Sequence, residues 1–206
     1  MSTAARSGRR IYVAGATGVI GTRLVPLLVG AGYTVGAMTR SADKAGRLAA
    51  AGAEPIVCDV FDRPGLARAV RTFEPDLLLH ELTDLPDDLE DVPKHSSLNA
   101  RIRTEGTRNL LDAVEDWQHT KVVAQSIAWT MPPGPESSAV ASLEESVLAV
   151  RGVVVRYGRF YGPGTYYESD LPPAPRVHID TAAERTLAAL NAASGILTIV
   201  DDSPST

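Results

Sequence analysis

Short apolar runs alternate along this chain with stretches whose apolar residues return every three or four positions. The runs are Ile11–Ala14, Thr34–Met38, Glu54–Cys58, Asp76–His80, Lys121–Gln125, Val153–Tyr157 and Gly195–Val200. Continuous runs such as Asp76-Leu-Leu-Leu-His80 predict parallel strands buried on both faces. Helical spacing places Leu24, Leu27 and Leu28 on one helix. It places Leu98, Ile102, Leu110, Val114 and Trp117 near one face of a longer helix, Ser96 to Trp117. Further helices are predicted over Pro64–Phe73, Ser142–Val150 and Thr181–Ala192, besides an alanine-rich one that stops at Gly52. Pro26 lies inside the first helix and is expected to kink it or to cost it stability. Strands and helices in regular alternation imply an α/β fold, a Rossmann-like doubly wound parallel sheet of about seven strands in a single domain.

The joint between the first strand and the first helix reads Gly15-Ala-Thr-Gly18-Val-Ile-Gly21. A strand, a glycine turn and a helix offer backbone N–H groups and a positive helix end to a phosphate. The spacing is Gly-x-x-Gly-x-x-Gly, looser than the Gly-x-Gly-x-x-Gly fingerprint, but a complete βαβαβ half-unit surrounds it. The expected cofactor-binding set is Gly15, Thr17, Gly18, Val19, Ile20, Gly21, Arg40, Asp59, Val60 and Leu82. Arg40 follows the second strand, where an acidic residue would favour NAD. A guanidinium there pairs instead with a 2′-phosphate, so the expected cofactor is NADP, with NAD as the alternative. Asp59 lies by the adenine or caps the helix from Pro64 onward.

Composition narrows the rest. The 206 residues, 44% apolar, suffice for one domain with a full core. Met1 to Arg10 is polar and basic without an apolar segment, so it is not a secretory signal, and residues 1–8 are expected to be a disordered leader before the domain at 9–206. No run is long enough to cross a bilayer. Cys58 is the single cysteine and is expected in the core. A net charge of −5, with no basic cluster beyond the leader, gives nucleic-acid binding little support. No His or carboxylate spacing suggests a metal site. The expectation is a cytoplasmic protein acting on a small-molecule substrate.

Taken together, the motifs resemble the short-chain dehydrogenase/reductase superfamily, in particular its extended type, the NAD-dependent epimerase/dehydratase family. The glycine motif, the strand Asp76–His80, Gly106-Thr-Arg-Asn-Leu-Leu-Asp-Ala113, Gln125-Ser126, Arg156-Tyr-Gly-Arg-Phe-Tyr-Gly-Pro-Gly164 and Val177-His178-Ile-Asp180 carry the likeness. The resemblance implies that Ser126 is the catalytic serine and that a Tyr-x-x-x-Lys pair should follow it, the tyrosine as general acid/base and the lysine lowering its pKa. Between Ser126 and Arg151 there is no tyrosine and no lysine; Glu136 and Val140 fall at the two positions. The family's Asn three residues before Gly-Thr is Arg103 here. The substrate lobe is compressed into the loop 162–176, so the pocket is small and open, or completed by a second copy in a homodimer.

The candidate catalytic residues are therefore Ser126, Tyr161 and Tyr167, with Tyr166 beside them and Glu136 or Glu81 as weaker bases. His80 and His178 are expected to be structural. The resulting reading is an NADP-binding enzyme acting on a small hydroxy or keto metabolite with a non-standard acid/base. The alternatives are a non-redox isomerase, dehydratase or cyclase of bacterial secondary metabolism, and a non-catalytic dinucleotide sensor.

Overall fold

The computed structural model describes residues 8–86, 88–117 and 119–201, so the expected leader lies, apart from Gly8, outside the described residues. The strands are β1 (Arg10–Ala14), β2 (Thr34–Thr39), β3 (Glu54–Val57), β4 (Leu77–His80), β5 (Lys121–Ile127), β6 (Val153–Tyr157), β7 (Arg159–Tyr161), β8 (Arg176–His178) and β9 (Gly195–Ile199). All but β7 and β8 form one parallel sheet in the order β3-β2-β1-β4-β5-β6-β9. This is the doubly wound single-domain fold that the alternation predicts.

Helices cover both faces. Leu24 and Leu28 of α1 (Gly21–Gly30), Leu48 of α2 (Ala42–Ala50) and Ala182 and Ala183 of α7 (Ile179–Ala189) pack on Ile11, Val13, Leu77, Leu79 and Val155. On the other face lie Leu66 and Val70 of α3 (Arg63–Phe73), Leu110 of α5 (Thr107–Asp112) and Leu143 and Val147 of α6 (Pro135–Ala149), against Tyr12, Leu78, Val122 and Val154. The period-2 alternation of each strand sends successive residues to opposite layers, which is why continuous apolar runs are needed.

Two expectations about helices change. The helix from Ser96 is interrupted: α4 (Ser96–Arg101) passes through a π turn at Ile102–Gly106 into α5, which ends at Asp112 rather than Trp117. Val114 and Trp117 still reach the core from the turn that follows, so their spacing reflects shared burial, not helix. α6 begins at Pro135, seven residues before the Ser142 start that the spacing predicts. Proline loses no hydrogen bond at a first helical position, and Ser137 Oγ accepts from the Gly134 N–H at 2.9 Å. α1 continues through Pro26, whose ring is exposed. The loop 162–176 is bracketed by a parallel ribbon of β7 and β8 that the sequence did not reveal.

Candidate functional site

The strand order reverses between β1 and β4, and the turn from β1 into α1 sits at that point. Gly15 has φ +94°, and a Cβ on it would lie 2.5 Å from the Glu81 carbonyl oxygen. A Cβ on Gly21 would lie 2.2 Å from the Gly15 oxygen. The fold itself demands these two glycines. Gly18 differs: it is exposed, and a Cβ there would meet only the Gly15 oxygen, at 3.3 Å. Its missing side chain leaves the start of α1 open. No side chain caps Ile20, the first turn of α1 holds no acidic residue, and the amides of Val19 and Ile20 find no acceptor among the described residues. A pyrophosphate fits these open donors and the helix dipole.

Around this cradle, Arg40 extends from the end of β2 and its Nη2 lies 3.0 Å from Asp84 Oδ1, in the loop after β4. Asp59 accepts from the Phe61 N–H at 2.9 Å, while the cap of α3 is Asp62, bonded to Gly65 N at 3.1 Å. Val60 is buried, its carbonyl held by Asn109 Nδ2 at 3.0 Å; Leu82 accepts from Gln125 Nε2 at 3.0 Å. Thr17 is half-buried in the turn. Arg23 ties the region together: it reaches Asp180 at 2.9 Å, the Val19 carbonyl at 3.0 Å and the Pro163 carbonyl.

Ser126 is buried at the carboxyl end of β5, facing α6. Its hydroxyl donates to Glu144 Oε1 at 2.5 Å, and Arg156, opposite Ser126 in the β5–β6 register, forks onto Glu144 at 2.9 and 2.6 Å. Burial alone would raise the Glu144 carboxyl, but the bonds from Arg156 and Ser126 outweigh it and hold the group below its usual range. Next to this chain lies a cavity of about 280 Å³ lined in part by Trp129, Met131, Val140, Glu144 and Arg156. Arg159 stacks over the Trp129 ring at 4.7 Å.

The tyrosines part company. Tyr161 donates to Asp201 at 2.9 Å, and that bond raises its phenol, opposite to what a ready acid/base needs. Tyr166 donates to the Pro86 carbonyl. The Tyr167 hydroxyl, half-buried, finds no partner among the described residues. His80 is structural: Nδ1 accepts from Leu82 N at 3.3 Å, so Nε2 donates to Thr107 Oγ1 at 3.0 Å, and burial with Arg103 nearby pulls its pKa down to about 4. His178 caps α7 by accepting from Asp180 N at 3.3 Å. Among the described residues no His, Cys, Asp and Glu group could hold a metal, and no helix is long and apolar enough to cross a membrane.

The model of the NAD dependent epimerase/dehydratase family matches residues 11–147. The chain belongs to that family. A Streptomyces protein, "3-diazoavenalumate denitrifying reductase", is 35% identical over 237 residues, covering 95% of this chain and 77% of its own length. The fold matches UDP-glucose 4-epimerase of Thermus thermophilus in complex with NAD, with TM-score 0.75 at 21% identity over 93% of this chain and 77% of that one. It also matches the UDP-Glc/GlcNAc 4-epimerase of Campylobacter jejuni, with TM-score 0.77 at 15% identity over 94% and 78%. This family member is an enzyme of oxidoreductase or epimerase type, and a nicotinamide dinucleotide is its cofactor class.

At the carboxyl end of β5, Ser126, Glu144 and Arg156 form one hydrogen-bonded chain. Glu144 and its bond to Ser126 were missed in the sequence. The adjacency of β5 and β6, which puts Arg156 opposite Ser126, was the available signal. Asp84 was also missed, being one acid in an acidic loop.

Proposed function

We propose that this chain is an NADPH-dependent reductase that replaces the diazo group of a small carboxylate by hydrogen. One observation carries the reading: the hydroxyls of Ser126 and Tyr161 are both committed to carboxylates. Ser126 donates to Glu144, which Arg156 keeps ionised, and Tyr161 donates to Asp201. Reduction of a ketone must put a proton on oxygen. When bound, the reduced nicotinamide supplies a hydride, and R–N₂⁺ plus hydride gives R–H and N₂, the C–N pair leaving on nitrogen with no proton to add. The loss of Tyr-x-x-x-Lys then costs this reaction nothing. The name of the Streptomyces relative supports the same chemistry.

In this reading Val19, Ile20 and the start of α1 hold the pyrophosphate. Arg40 leaves Asp84 to take the 2′-phosphate. The cavity beside Trp129 takes a flat substrate. The test is incubation with NADPH deuterated at the transferred position and a diazotised aminobenzoate, corrected for the uncatalysed reaction. Expected are loss of nicotinamide absorbance, matching benzoate, and deuterium on the carbon that held nitrogen. NADPH consumption with ketones and none with the diazonium salt would sink the proposal in favour of a keto reductase using Tyr167.

A further inference from the structure

Arg103 sits in the π turn between α4 and α5, where an extra residue is accommodated in the helix. Such turns are frequent at functional sites. Its side chain is half-buried and makes no hydrogen bond or ion pair to any described residue. Arg47, Arg68, Arg108 and Arg151 likewise make none among the described residues, but they are exposed and water serves them. Arg103 differs from them in combining shelter with an open guanidinium. Its charge acts on His80 at the carboxyl end of β4, and Glu136, in the first turn of α6, and Glu144 act on it. Burial works against its charge, and the two carboxylates compensate only in part. Glu144 is already neutralised by the Arg156 fork. A guanidinium withdrawn from water with its donors unused is costly, and a planar anion is the group that matches its fork.

The position adds to this. Arg103 lies on the same side of the sheet as Ser126, with the π turn packed on α6. Arg156, opposite Ser126 in the register, is spent on Glu144. We infer that Arg103 binds the carboxylate of the substrate, in a bidentate pair that holds the reacting carbon toward Ser126 and the nicotinamide end. The inference rests on the reductase reading for the identity of the substrate, though not for the existence of the anion site. Glu136 sharpens the selection: it repels an anion that fails to engage Arg103.

The experiment compares wild type, Arg103→Met and Arg103→Lys. The first measurement is kcat/KM with a diazotised aminobenzoate and with its methyl ester. Wild type is expected to prefer the acid by about 100-fold, Arg103→Met to lose that preference, and Arg103→Lys to recover part of it. The second is binding of benzoate to the NADP⁺-loaded protein by calorimetry. Benzoate affinity is expected to fall roughly tenfold or more in Arg103→Met, with the NADPH dissociation constant unchanged. If no diazonium compound is reduced yet benzoate binding still depends on Arg103, the reductase reading falls and the anion site stands. Equal benzoate binding in wild type and Arg103→Met overturns the site whatever the reaction is. So does a loss of NADPH binding equal to the loss of benzoate binding, since Arg103 would then serve the cofactor or the fold.

Discussion

Glu81 directly follows His80, and the alternation of the strand sends the two to opposite faces of the sheet. Both are buried and uncharged. Thr186 Oγ1 donates to the Ala182 carbonyl at 2.7 Å, so it must accept from Tyr157, 2.6 Å away. Tyr157 also lies 3.3 Å from Glu81 Oε1, and Glu81 Oε2 finds no partner among the described residues. Burial pushes Glu81 up to about 8. A carboxyl that keeps its proton when folded but releases it near pH 4.5 when unfolded makes stability fall as pH rises from about 4.5 to about 8. His80, at about 4 against a usual 6.5, makes stability rise with pH across that window. The two oppose each other up to pH 6.5, and above it only Glu81 acts. The expected loss is about 2 kcal/mol between pH 6.5 and 8, at about 1.4 kcal/mol per pH unit for one proton. Urea unfolding of Glu81→Gln should show that loss removed, and an unchanged slope in the variant would mean that Glu81 ionises freely when folded. Little of this was legible: Glu81 read as a weak candidate base, because its burial depends on α1 and α7 closing over one face of the sheet.

At the scale of elements, the loop 162–176 is held down by contacts that come from far away in sequence. Arg23 on α1 grips the Pro163 carbonyl and Asp180 on α7, and Tyr166 reaches the Pro86 carbonyl. Arg23→Ala removes the link between the cradle and the loop. Limited proteolysis should then cut within 162–176 several-fold faster than in wild type, and identical cleavage rates would show that the β7–β8 ribbon holds the loop alone. The elements themselves were largely readable. The core strands follow the apolar runs, and α3 and α7 fall close to their expected bounds. The misses at α5 and α6 have a common cause: helix ends depend on caps and on packing. Pro135 looks like a loop residue until its role as the first residue of a helix is known.

For the whole molecule, ligand binding and folding are one equilibrium, because the cradle exists only when β1, α1 and the loop after β4 are assembled. A nucleotide at roughly a hundredfold its dissociation constant adds about 2.7 kcal/mol of stability. NADPH is expected to raise Tm more than NADH at equal concentration if, as proposed, Arg40 exchanges Asp84 for a phosphate. Arg40→Ala should bring the two shifts together, chiefly by lowering the NADPH shift. Equal shifts in wild type would remove the case for NADP over NAD.

The sequence by itself determined the layer order, the glycine cradle and the loss of the tyrosine–lysine relay, because these depend on local spacing and residue identity. It also marked Ser126 and Arg103 as positions of interest. Only the tertiary structure decided what those positions do: that Ser126 gives its proton to Glu144, that Tyr161 turns to Asp201, and that Arg103 stands sheltered without a partner among the described residues. Each outcome depends on which distant group shares a small, partly dry volume. Burial and pairing are properties of that volume, and the chain acquires them only when its layers close.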